Sequence, residues 1–329
     1  MKLPLFIKQN EEKWNRFEKY LDNKNQIDPE VLSDLYLEIF DDLSFAKTFY
    51  PNSGVIPYLN GLAIKAHQNI YRNKKESGNR LISFFKRDFP KSFYNYQGYL
   101  LISFIVFFIF MLIGWYSMTQ NESFARLILG DNYVNMTLEN IKNGDPMAVY
   151  KQGNSMDMFL GITINNIKVA MQAFVFGIIF MIGTLYVMMY NGIMLGSFLA
   201  FFAKKDLLWE AFRTIWIHGT IEISVIIVAG AAGLVLGAGI LFPKTYTRLD
   251  SIKIAAKAGL KIMMSTIPFF IIAGFLEGFV TKHTEMSNTL AVFIILSSLS
   301  LILFYYVFYP IVLNKKTDGI SNKSVKNGK

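Results

Sequence analysis

Residues 214–243 read TIWIHGTIEISVIIVAGAAGLVLGAGILFP, thirty positions with one formal charge, Glu222. About 20 apolar residues span a bilayer core, so this stretch is too long for a single straight crossing. A run of small residues, Ala229-Gly230-Ala231-Ala232-Gly233 followed by Gly237, occupies its middle. Glycine permits tight turns and close backbone approach. These residues predict an intramembrane double-helix or re-entrant element, with Gly230, Gly233 and Gly237 as its packing surface.

The surrounding sequence fits a membrane protein. Apolar residues make up 53% of the 329 and charged residues only 17%, against roughly 25% charged in soluble domains. The charge is unevenly spread: residues 1–98 hold 15 of the 33 Lys and Arg and 12 of the 24 Asp and Glu. The remainder alternates charge-free runs with short charged loops, as the cost of mid-membrane charge requires. With no cysteine there is no thiolate nucleophile, thiolate metal site or disulfide. The net charge of +9 suits basic cytoplasmic loops, and no basic cluster interleaved with aromatics points to nucleic acid.

The expected fold class is all-α: a polytopic helical membrane protein behind a soluble N-terminal helical domain, residues 1–80. Phe6, Trp14, Phe17 and Leu21 form an amphipathic stripe, and Asp28-Pro29 is a helix start with Asp28 as N-cap. Residues 81–97 are an interfacial segment, its rings at headgroup depth and Lys86, Arg87 and Lys91 toward anionic lipid. Residues 98–313 form the transmembrane domain, with spans near 98–118, 169–203, 214–243, 262–280 and 287–313 and an external loop at 119–165. A basic tail follows at 314–329.

Loop charges constrain the topology. Counting five single crossings places the basic 243–261 segment (Lys244, Arg248, Lys253, Lys257, Lys261) on the same side as the acidic 119–165 loop, against the positive-inside rule. One hairpin restores it. The stretch 214–243 is the better candidate and 169–203 the other; 204–213 is expected inside, with both termini cytoplasmic in the cell (inner) membrane.

The motifs Tyr58-Leu59-Asn60-Gly61-Leu62-Ala63, Asn165-Asn166, His218-Gly219-Thr220-Ile221-Glu222, Ala229-Gly230-Ala231-Ala232-Gly233-Leu234 and Phe275-Leu276-Glu277-Gly278-Phe279 occur in this order. Together they resemble the stage II sporulation protein M (SpoIIM) family over nearly the whole chain. The resemblance implies a membrane scaffold, as the founding members are thought to be for cell-wall hydrolases. It also implies a kinship with proteins encoded near MoxR-type ATPases, and it carries no claim of sporulation.

His218 and Glu222, four apart, share a helix face, and Glu277 lies late in another span. Intramembrane ionisable residues are costly and mark functional sites by default. They read either as an ion or proton relay or as hydrogen-bond partners for backbone freed at a hairpin. His-x3-Glu lacks a third ligand nearby in sequence, so no metal site is assigned. Asn165 and Asn166 read as an outer helix cap or vestibule, Asn191 as a break or cap beside Gly192, and Arg213 as a flanking polar residue. The Gly233-x3-Gly237 spacing admits a homodimer contact. There is no P-loop, nucleophile elbow or dinucleotide fingerprint. The leading expectation is a non-enzymatic envelope scaffold without cofactor, partnered by lipid, a second copy and envelope or ATPase proteins. The alternative is a channel or permease with its polar site at His218, Glu222 and Glu277.

Overall fold

A computed structural model describes residues 2–22, 29–71, 80–151 and 153–315. All described regular elements are helical, and the chain divides into two compact units, Met1–Arg80 and Leu81–Lys329.

The first unit is built from α1 (Leu3–Asp22), α2 (Pro29–Phe49) and α3 (Val55–Tyr71). Phe6, Trp14, Phe17 and Leu21 of α1 are buried against Ile39, Leu43 and Ala46 of α2 and Leu59, Leu62 and Ala66 of α3. The indole N–H of Trp14 donates to Asp42 Oδ2 at 2.8 Å, and Lys13 pairs with the same carboxylate. Asp28, the expected cap of α2, lies outside the described residues, as do most of the basic tail and the turn after α3.

The second unit opens with α4 (Arg80–Ser83), a π-helical turn Phe84–Asp88, α5 (Phe89–Phe93) and a 3-10 turn Tyr94–Tyr96, which runs into α6 (Gln97–Gln120). The aromatic residues here do not all lie at the lipid interface. Phe89 and Phe93 are fully buried: Phe89 stacks on Tyr305, and both meet Tyr306 edge-on, while Lys86, Arg87 and Lys91 remain exposed. After α7 (Ser123–Leu129) and α8 (Asp131–Lys142) come α9 (Ser155–Val175), α10 (Ile182–Ala203), α11 (Leu208–Leu241), α12 (Arg248–Phe275) and α13 (Asn288–Leu303). Six helical segments among the described residues are long and apolar enough to cross a membrane: Arg80–Gln120, Ser155–Ile178, Ile182–Ala203, Leu208–Leu241, Arg248–Thr281 and Asn288–Lys315.

An even number of crossings follows, but the hairpin is not at 214–243. That stretch belongs to one unbroken helix, the 34-residue α11, about 50 Å long at 1.5 Å per residue. The chain reverses instead inside the other long apolar region. Phe180 and Met181 adopt positive φ of 47° and 68° between α9 and α10. The first half of α9 lies in what the charge pattern marks as external loop, so the span starts at Ser155 and Asn154 caps it by accepting from the Met156 amide at 2.9 Å.

The small residues of α11 serve close approach rather than a turn. A Cβ at Gly233 would overlap the Ala173 carbonyl and Thr184; at Gly230 it would meet Ser103 and Met188; at Gly237 it would meet Met181 in the α9–α10 turn. Backbones this close also exchange side-chain hydrogen bonds: Ser103 Oγ donates to Ile227 O and Thr184 Oγ1 to Ala173 O, both at 2.8 Å. The face read as a possible dimer contact is buried within the chain. α11 is thus the central helix, packed on by α6, α9, α10, α12 and α13.

Contacts between loops sort the crossings into two faces. Lys204 and Lys205 lie 3.7 and 3.9 Å from the Glu122 carboxylate, and Lys282 Nζ donates to Ser155 Oγ at 2.7 Å. Arg213 donates to the carbonyls of Thr284 and Met286 and to Asn288 Oδ1, clamping the turn between α12 and α13. Residues 121–154, 204–213 and 282–288 therefore share one face. This corrects the expectation that 204–213 returns to the side opposite the acidic loop: the extra crossing precedes it. On the other face, Gln97 Nε2 donates to the carbonyls of Tyr306 and Val307, and Tyr309 donates to Lys86 O at 2.7 Å.

Candidate functional site

His218 lies on α11 about one and a half turns after Arg213 and one turn before Glu222, and the unbroken helix puts the His218 and Glu222 side chains on one face. Glu277 comes from the π-helical turn, Leu276–Thr281, that continues α12. Such turns re-aim side chains and are frequent at functional sites. The three residues meet: donor atoms of His218, Glu222 and Glu277 all lie within 4.8 Å of one another. The third ligating group missing from the local sequence is supplied by the neighbouring span.

The histidine has a polar neighbour at each ring nitrogen, hydrogen-bonded at Nδ1 only. Nδ1 lies 3.0 Å from Thr281 Oγ1, and Nε2 lies 3.7 Å from Glu277 Oε2. Thr281 Oγ1 itself donates to Leu276 O at 3.2 Å. With that proton directed at Leu276 O, the Thr281 oxygen has lone pairs left to accept a hydrogen carried on His218 Nδ1. His218 and Thr281 are buried, at 4% and 1% exposure. Among the described residues no Lys or Arg is within ion-pairing distance of Glu222 or Glu277; the basic group beside Glu277 is the His218 ring, an ion pair only when that ring is protonated.

Asn166 completes the surroundings. It is 5% exposed, and its amide is directed at the Glu222 carboxylate, with Nδ2 just beyond ordinary hydrogen-bond distance of any acceptor. Asn165 is exposed on the other side of α9. Both lie in the middle of that helix, so neither caps it. Asn191 also differs from expectation: α10 continues through it, and its amide donates back to Val187 O at 2.8 Å. Arg213 stays outside the cluster, in its clamp.

A cleft of about 470 Å³ opens onto His218 and Glu222 between α6, α7, α8, α10 and α11. Its polar wall groups besides these two are Tyr133, Tyr150, Tyr190 and Asn191. The Tyr150 ring lies 5.8 Å from the His218 ring. Burial first, then the neighbouring Tyr133 and the two carboxylates, pushes the Tyr150 phenol well above its ordinary value, so it stays a proton donor. Burial also pushes Tyr133 up to about 12. Thr281, Tyr150 and Tyr133 were not legible as site residues. Thr281 follows Glu277 by four positions, a usable hint, but Tyr150 arrives on a loop that no pattern ties to α11.

A family model described as Stage II sporulation protein M matches residues 103–282, which include the whole cluster. The chain belongs to the SpoIIM family. In this SpoIIM protein the match begins inside α6 and ends just past the π-helical turn, so it takes in α7 to α12. A second family model, a domain of unknown function (DUF8413), matches residues 4–72 and so covers α1 to α3. No curated protein matches the chain, and no solved structure does.

Proposed function

We propose that this SpoIIM-family membrane protein binds a small cation within its membrane domain and conducts or transports it, as a channel or permease rather than an enzyme. The observation that carries the reading is the His218–Glu222–Glu277 cluster beside a cleft of about 470 Å³. Two carboxylates without a Lys or Arg partner are an expensive arrangement in a membrane-spanning core, and a cationic ligand offsets that cost. The face carrying Lys86, Arg87, Lys91, Lys244, Arg248 and Lys253 is taken as cytoplasmic by the positive-inside rule, which places both termini there, in the cell membrane. Flux measured in liposomes containing the pure protein tests the reading. Cation flux lost in Glu222→Gln and Glu277→Gln supports it; no flux of any cation from correctly folded protein defeats it.

A second reading, assembly in an envelope complex with a second copy or with envelope or ATPase proteins, is favoured by a different observation. On α2, Leu37, Phe40 and Phe49 are 58%, 50% and 61% exposed. Sedimentation of the full chain tests self-association: Leu37→Asp with Phe40→Asp is expected to lower the assembly state if this face joins two copies.

A further inference from the structure

The tautomer of His218 narrows the class of cation. Thr281 Oγ1 donates to Leu276 O and lies 3.0 Å from Nδ1, an arrangement that suits the tautomer with its hydrogen on Nδ1. In neutral imidazole, Nε2 is then a bare lone pair. That lone pair faces a carboxylate oxygen, Glu277 Oε2, at 3.7 Å, with the Glu222 carboxylate completing the group. Three electron-pair donors converge where a positive centre belongs. A ring N–H held by an oxygen partner, with the opposite nitrogen free, is also how ligating histidines are oriented in metal sites.

We propose that His218, Glu222 and Glu277 bind one divalent first-row transition-metal ion, of which zinc is the type, through Nε2 and one oxygen from each carboxylate. The proposal rests on reading the cluster as a cation site and names the cation. Charge supports it: two carboxylates and one divalent ion sum to zero, the cheapest state in an apolar core. Imidazole selects zinc, copper, iron or nickel over calcium and magnesium, which prefer all-oxygen shells. Spacing supports it too. Donors at about 2.0–2.1 Å from a tetrahedral ion stand roughly 3.3–3.4 Å apart. The His218–Glu277 separation of 3.7 Å is close to that, and the three donor atoms all lie within 4.8 Å of one another. Three protein ligands leave a fourth position open, and the cleft that reaches His218 and Glu222 provides access to it. Asn166, buried with its amide directed at the Glu222 carboxylate, is placed to orient it.

The test uses the full chain in detergent micelles, stripped with a chelator and titrated with Zn²⁺ against a chromophoric competitor, with bound metal counted by mass spectrometry. With no cysteine and three histidines in the chain, background binding is small. One equivalent of Zn²⁺ is expected, with Mg²⁺ and Ca²⁺ failing to compete. Glu222→Gln and Glu277→Gln, which keep side-chain shape, are expected to weaken binding at least about 100-fold. Thr281→Val, which removes the oxygen at His218 Nδ1 and the bond to Leu276 O but no ligand, is expected to cost about 10–100-fold. Co²⁺ in the unaltered protein is expected to give the visible spectrum of a four-coordinate nitrogen–oxygen site, a readout that does not depend on any variant folding. Absence of Zn²⁺ binding and of that spectrum in folded protein overturns the metal assignment, as does binding that both glutamine variants leave unchanged. Glu222-dependent flux of other cations without Zn²⁺ binding overturns the assignment and leaves the transport reading standing. One bound Zn²⁺ with no flux of any ion does the reverse.

Discussion

Nε2 of His218 stands 3.7 Å from Oε2 of Glu277, joining α11 to the π-helical turn after α12. Both side chains are largely buried, at 5% and 15% exposure. Removing either side chain leaves the other, a buried polar group, without its neighbour, at a cost of about 1–3 kcal/mol. His218→Leu and Glu277→Leu are each expected to lower thermal stability in detergent, while the double variant loses clearly less than the sum. Additive losses in that cycle would show that the two groups do not interact.

Topology gives a second expectation. The chain has no cysteine, so single cysteines report their own positions. The ion pairs from Lys204 and Lys205 to Glu122 put those residues on one face, and the six-crossing order puts Lys253 on the other. Cysteines at Lys205 and Asn143 are expected to react with an impermeant reagent from the same side, and a cysteine at Lys253 only from the opposite side. Equal labelling of positions 205 and 253 from one side would falsify the hairpin between α9 and α10.

That hairpin marks where sequence reading stops. Loop charges required an extra crossing, because Lys244, Arg248 and Lys253 could not share a side with Glu122 and Asp131. They could not say which apolar run supplied it. Glycine content pointed to 214–243, yet Gly230, Gly233 and Gly237 admit neighbouring backbones without bending their own. A turn and a close approach call for the same residue type. The true reversal uses Phe180 and Met181 at positive φ, residue types that announce no turn. The site divides the same way. His218 and Glu222 were visible as a four-residue spacing, whereas Glu277 joins them only through the packing of α12 on α11, and Asn166 only through α9 starting earlier than its charges suggest.

Glycines also separate packing from propensity. A Cβ at Gly233 would collide with the Ala173 backbone and Thr184, and overpacking typically costs about 1–3 kcal/mol. Gly61, inside α3, has nothing within 4 Å of the position a Cβ would take. Gly61→Ala gains helix propensity of about 0.5–1 kcal/mol. Thermal unfolding of the full chain is therefore expected to move down for Gly233→Ala and to stay level or move up for Gly61→Ala.

In the first unit the sensitive contact is Trp14 with Asp42. The indole donates to Oδ2 at 2.8 Å, and the Trp14 residue is 3% exposed. Asp42→Ala leaves that buried N–H without its acceptor, at a cost of about 1–3 kcal/mol. It also frees Lys13, whose side chain is 30% exposed and regains water, so the ion pair adds little. Asp42→Asn keeps an acceptor oxygen beside the indole and is expected to recover most of the loss. Hydrogen exchange of α1 and α2 amides in the full chain checks both variants: protection falls in Asp42→Ala and returns in Asp42→Asn. A loss of equal size in the two would mean that the carboxylate charge, and not the hydrogen bond to Trp14, holds the two helices together.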